Sequence, residues 1–249
     1  MSAAAVSVTR VMEQPESGDD GWMAATRAAY DTVAANYADL LADSLARHPF
    51  DRAVLSLYAE LVHAAAGVSD TKPQVVDVGC GPGRITAHLA GLGLDASGID
   101  LSPAMIDQAR QRHPGLKFAV GSMTALDELP PSTPSTPSPL DGSAGLDGLV
   151  AWYSVIHVPP ARHPAVYAGF RRVLRTGGHL LLAFQRGDVK REITEAYGKQ
   201  GLRYDAYRLQ PDQVEAELAE AGFAHVARLT RAPIGQEKTP QAYVIARAE

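Results

Sequence analysis

A single cysteine, Cys80, in 249 residues excludes an intrachain disulfide and any multi-cysteine metal cluster. The eight histidines show no H-E-x-x-H or comparable spacing, so no metal is expected. Basic charge is not in surplus: 23 Lys and Arg stand against 28 Asp and Glu, for a net charge of -5. That balance disfavours a broad surface for a nucleic-acid backbone. No segment reaches the ~20 apolar residues that span a bilayer. Met1 to Asp20 holds no apolar signal core, so the expectation is a cytoplasmic globular protein.

The length allows one domain or at most two. Residues 1–21 are small and acidic without apolar periodicity and read as a disordered tail, leaving 22–249 as a single domain. From Trp22 to Arg47 apolar residues recur at three- and four-residue intervals, predicting one amphipathic helix. A second helix is expected from Asp51, as N-cap, to Gly67. The period then changes. Strands are predicted at 74–78, 96–100, 116–120, 148–152, 179–184, 224–229 and 242–247, with helices between most of them. One helix opens on Ser102 as N-cap with Pro103 in first position. Two others, Pro164–Leu174 and Gln213–Ala221, are closed by Gly177-Gly178 and Gly222. Such alternation implies crossovers and a doubly wound, mostly parallel α/β sheet of seven strands. Two segments interrupt it: a Pro/Ser-rich loop at 130–145 and a polar, aromatic insert at 185–209.

In a doubly wound sheet, ligands bind beyond the C-terminal ends of the strands. Gly79-Cys80-Gly81-Pro82-Gly83 follows the first strand and Asp100 ends the second, 23 residues beyond Asp77. At that offset a carboxylate takes the two hydroxyls of an adenosine ribose. The glycines alternate instead of following G-x-G-x-x-G, and Asp77 beside them would repel a pyrophosphate. A ligand with an ammonium, a sulfonium and a ribose but no phosphate fits better. S-adenosylmethionine is such a ligand.

The run Val76-Asp77-Val78-Gly79-Cys80-Gly81-Pro82-Gly83, followed by Gly98-Ile99-Asp100-Leu101-Ser102, resembles the first two motifs of class I S-adenosylmethionine-dependent methyltransferases. The resemblance implies a Rossmann-like sheet with N-terminal lid helices over 22–70, and release of S-adenosylhomocysteine. It places the cofactor against Asp77, Gly79, Cys80 and Gly81, with Cys80 a small filler in the loop. Asp100 would take the ribose, and Leu101 and Met105 would flank the adenine. The family's third motif usually supplies an Asp near the end of strand three. Here Gly121-Ser122-Met123 stands in its place, leaving Ser122 and Met123 for the adenine edge. Ala151 and Trp152 at the end of strand four would meet the cofactor. Tyr30-Asp31-Thr32-Val33-Ala34-Ala35-Asn36-Tyr37 resembles a Y-D-x-x-A-x-x-Y lead-in, in which Tyr30 and Tyr37 share a helix face and close over the cofactor.

Tyr153 and His157 would lie where a small-molecule acceptor enters, with His157 as general base for an O–H or N–H nucleophile. An equally open reading is a histidine bonded to a backbone carbonyl. The insert brings Tyr197, Arg203, Tyr204, Tyr207 and Arg208, and Tyr197, Arg203 and Tyr204 are expected to touch the acceptor. Transfer of a methyl group to O, N or C of a small molecule is the favoured activity. The alternatives are a nicotinamide-dependent oxidoreductase and a non-catalytic S-adenosylmethionine-binding regulator.

Overall fold

The computed structural model describes residues 21–126 and 145–249. The expected tail and most of the Pro/Ser-rich loop lie outside the described residues. Strands β1 (Gln74–Val78), β2 (Asp95–Asp100), β3 (Lys117–Val120), β4 (Leu146–Trp152) and β5 (Leu174–Gln185) pair in parallel. At the far edge β9 (Gln241–Ala248) pairs antiparallel with both β5 and β8 (Phe223–Arg231), giving the order β3-β2-β1-β4-β5-β9-β8. Two further strands form a hairpin apart from this sheet.

The sheet is buried on both faces, as crossover connections require. Val75 and Val76, adjacent in β1, face opposite sides and are both fully buried. Val76 packs with Tyr167 and Phe170 of α6 (His163–Val173) and Leu218 of α7 (Pro211–Glu220). Val75 packs with Leu55 and Tyr58 of α3 (Pro49–Ala66) and Leu89 of α4 (Arg84–Gly91).

Several boundaries differ from expectation for local reasons. The first helix stops at Leu41 (α1, Gly21–Leu41), a short turn α2 (Ser44–Arg47) follows, and α3 begins at Pro49 in its first turn. Asp51 is therefore not an N-cap: it is buried in the first turn and accepts a 2.6 Å hydrogen bond from the Tyr243 hydroxyl. Ser102 does cap α5 (Pro103–Arg112), accepting from the Met105 amide at 3.1 Å. Gly177-Gly178 do not close α6, because the chain enters β5 directly at Leu174 and the glycines sit inside that strand.

The 185–209 insert is a hairpin, β6 (Lys190–Ala196) and β7 (Lys199–Tyr207). Its two turn residues, Tyr197 and Gly198, both have positive φ, 53° and 75°, as a tight two-residue hairpin turn needs. Leu202 and Tyr204 of β7 pack against Ala29 and Val33 of α1 and Met105 of α5. Helix and hairpin thus roof the C-terminal ends of β1, β2 and β4.

Candidate active site

A cleft opens under that roof, where the loops after β1, β2, β3 and β4 converge. The loop after β1 turns back on β2: the Gly79 and Cys80 amides both donate to the Ile99 carbonyl, at 2.7 and 3.0 Å. Asp100 then ties the two loops together. One carboxylate oxygen accepts from the Gly81 amide at 2.8 Å and the other from the Ser102 amide at 2.9 Å. Each oxygen keeps lone-pair capacity for a further donor. Burial raises the Asp100 pKa to about 6, against the pull of those two amides.

The glycines differ in what they make room for. At Gly79 (φ +74°) a Cβ would sit 2.2 Å from the Ser154 Cβ, so this glycine serves internal packing. At Gly81 (φ +55°) the nearest atom would be Tyr37 Cε1 at 3.6 Å, so the bare backbone faces the cleft.

Helix α1 forms the opposite wall and is pinned at two adjacent residues. Asp31 accepts from the Ser102 hydroxyl at 2.5 Å and from the Ala104 amide at 3.3 Å. Tyr30 Oη lies 2.8 Å from His157 Nε2, and His157 Nδ1 lies 3.0 Å from the Asp205 carbonyl. A carbonyl only accepts, so Nδ1 carries the proton and Nε2 accepts from the Tyr30 hydroxyl. Burial holds the imidazole below its usual range, and burial with neighbouring tyrosines pushes the Tyr30 hydroxyl well up, so both are neutral at pH 7. Tyr204 completes the cluster, its ring centroid 5.4 Å from His157 and 5.6 Å from Tyr30. His157 thus bonds a backbone carbonyl and also presents a basic nitrogen to a cleft residue; the two readings coexist.

Of the residues expected from sequence, Tyr30, Tyr37, Gly79, Gly81, Asp100, Leu101, Met105, Ser122, Met123, Trp152, Tyr153 and His157 line the cleft. Four expectations need correction. Asp77 is buried beneath the loop, one carboxylate oxygen accepting from the Thr86 hydroxyl at 2.8 Å and the other unpartnered among the described residues, so it does not line the cleft. Burial raises its pKa to about 7. Cys80 points away into a core patch with Ile106, Ala109 and Phe118. Ala151 faces the main core, because along β4 it alternates with Val150 across the sheet. Arg203 is 88% exposed beside Glu192, since Leu202 and Tyr204 on either side of it point inward. Tyr197 and Tyr204 line an adjoining cavity that shares Tyr30, Tyr37, Tyr153 and His157 with the cleft.

Sequence reasoning missed Trp22, Thr26 and Arg27 on α1 and Ser154 and Val158 after β4. The helical period does carry a signal for the first two, since Trp22, Thr26 and Tyr30 are spaced by four. Tyr153 was anticipated but not its strain: φ is 53°, a left-handed conformation that costs a non-glycine residue roughly 1–3 kcal/mol. Its hydroxyl lies 3.4 Å from that of Tyr243.

Residues 75–178 match the family profile described as a methyltransferase domain. Over those residues the chain is similar to a methyltransferase domain, and its sheet has the Rossmann-like fold of class I methyltransferase structures. Among curated relatives, an uncharacterized methyltransferase of Emericella nidulans is 28% identical over 167 residues, 60% of this chain and 56% of its own length. An O-methyltransferase of Penicillium expansum is 28% identical over 155 residues, 60% of this chain and 51% of its own. The chain spans about half the length of these curated relatives. The fold is similar to that of the Burkholderia thailandensis 1,6-didemethyltoxoflavin-N1-methyltransferase, solved with 1,6-didemethyltoxoflavin and S-adenosylhomocysteine. That match has a TM-score of 0.66 and 19% identity, and it covers 95% of this chain and 93% of the other.

Proposed function

We propose that this chain is an S-adenosylmethionine-dependent methyltransferase acting in the cytoplasm on a small molecule. The observation that carries the reading is the double tether of Asp100 to the Gly81 and Ser102 amides, which holds a carboxylate at the mouth of a bare glycine loop. The donor set suits a cationic ribonucleoside without phosphate: Arg27 is the one guanidinium among the described cleft residues, and it is exposed. Asp100 would hold the ribose hydroxyls, Gly81 would let the methionine portion lie on backbone, and Leu101 and Met105 would cover the adenine. When bound, S-adenosylmethionine supplies a methyl group on a sulfonium, ready for in-line transfer to an O, N or C nucleophile.

The chain's own residues would supply alignment and a proton path. Tyr153 and Trp152 bound the position from which an acceptor approaches. The unprotonated His157 Nε2 would draw a proton through the Tyr30 hydroxyl, because Tyr30 occupies that nitrogen in the structure. Helix α1 acts as a lid. The cleft encloses about 80 Å³, well under the roughly 300–1,000 Å³ of small-molecule sites, so α1 must swing aside to admit a nucleoside, and the Tyr30–His157 bond is re-made over the bound cofactor before transfer.

Incubation with methyl-labelled S-adenosylmethionine and a panel of small hydroxy, amino and carbon acceptors tests the reading. Label in an acceptor, lost in Asp100→Ala, is expected. Cofactor binding with no labelled product across the panel would favour a non-catalytic regulator instead.

A further inference from the structure

Beyond the cleft, two adjoining cavities of about 400 and 290 Å³ share Arg84, Arg191, Tyr153, Gln185 and Leu41, and both reach the cleft through Tyr153. Their walls hold an excess of positive charge. The larger is lined by Arg84, Arg191, Arg208 and Lys238 against two carboxylates, Asp51 and Glu237. Both acids are already engaged. Glu237 makes a two-pronged pair with Arg231 at 2.5 and 2.7 Å, and Asp51 accepts from Tyr243 and lies 3.8 Å from the same Arg231. Arg231 is buried and is not itself a wall residue, so it neutralises the acids from behind.

The wall arginines lack comparable partners. Among the described residues no carboxylate pairs with Arg84, Arg191 or Arg208 within salt-bridge distance; Arg84 lies beside the Tyr37 hydroxyl. A guanidinium nitrogen of Arg84 and one of Arg208 are buried with no hydrogen-bond partner. Buried guanidinium donors left unmade are unfavourable and are answered by an oxyanion, which the planar fork grips through paired hydrogen bonds. The three arginines come from the start of α4, from β6 and from the chain just after β7, so they converge from separate elements. The smaller cavity adds flat surfaces: Tyr30, Tyr37, Tyr197 and Tyr204 line it, with the Tyr37 and Tyr197 rings 4.7 Å apart.

We propose that these cavities form the acceptor site for a planar small molecule carrying a carboxylate or phosphate, with Arg84, Arg191 and Arg208 as its anchor. This rests on the methyltransferase reading above and narrows its substrate class. The oxyanion is the handle and not the methyl acceptor, because a negative group shared among guanidinium ions has its electron density withdrawn and is a weak nucleophile. The reacting atom sits at the other end of the molecule, towards Tyr153 and His157.

The test is calorimetry on the full chain, first with S-adenosylhomocysteine and then, on the loaded protein, with benzoate, phenyl phosphate and benzamide. At least tenfold tighter binding of benzoate or phenyl phosphate than of benzamide is expected, and the stronger of the two anions identifies the oxyanion class. Arg84→Gln and Arg208→Gln should each weaken the preferred anion at least fivefold and leave benzamide unchanged. If S-adenosylhomocysteine binds and all three probes bind equally or not at all, the anchor is overturned while the cofactor reading stands. If S-adenosylhomocysteine fails to bind, the reading itself falls, whatever the anions do.

Discussion

The Tyr30 hydroxyl donates to His157 Nε2 across 2.8 Å, joining α1 to the segment that leaves β4. The bond has two consequences that one pair of variants separates. Tyr30→Phe leaves a buried imidazole nitrogen unpartnered, and a double-mutant cycle with His157→Gln should give a coupling of about 1 kcal/mol by urea denaturation. Both single variants should also slow methyl transfer at pH 8 by roughly 10²-fold, the lower end for loss of general-base assistance. Coupling without a rate effect would leave the pair a latch only.

Asp77 gives a pH-dependent prediction about stability. Its folded pKa, about 7, lies above the ordinary 3.8, so the folded chain binds its proton more tightly than the unfolded chain does. The stability this contributes is complete below about pH 4 and is lost as pH rises through 7. Asp77→Asn cannot ionise and keeps an acceptor for Thr86. Its stability relative to the parent should therefore grow by about 3 kcal/mol between pH 5 and pH 8, read from paired urea titrations. A difference independent of pH would show that Asp77 is not buried as an acid.

The two loop glycines should respond differently to alanine. Gly79→Ala drives a Cβ to 2.2 Å from Ser154 and should cost more than 3 kcal/mol or prevent folding. Gly81→Ala meets Tyr37 at 3.6 Å and Met105 Sδ at 4.0 Å, both ordinary contacts, and should cost about 1 kcal/mol for its positive φ. Its main effect should be on cofactor affinity, which a thermal-shift titration with S-adenosylhomocysteine measures.

The parts of this site that were legible in the sequence are those written in contiguous chain. The glycine loop, Asp100 and the Ser102 cap are local, and the structure brings them together as spacing implied. Side chains whose direction depends on a neighbouring element were not legible. Cys80 sits inside the loop motif yet faces Phe118, because the turn that aims the Gly81 backbone at the cleft aims the thiol the other way. Composition groups Arg203 with Tyr204, but strand alternation separates them; Leu202, Tyr204 and Ala206 carry that period and mark the inward face. Arg84 lies just past the last glycine, and nothing in its local sequence shows that β6 brings Arg191 to the same cavity.

The central claim is that Asp100 and the glycine loop hold an adenosyl cofactor, and calorimetric titration of the folded chain with S-adenosylhomocysteine tests it most directly. One-to-one binding with a Kd on the order of micromolar at pH 7 is predicted. Because the ionised Asp100, with a pKa of about 6, accepts the ribose hydroxyls, affinity should fall about tenfold at pH 5 and be lost in Asp100→Ala. A folded chain that gives no binding heat at pH 7, or an affinity indifferent to Asp100→Ala, would contradict the account.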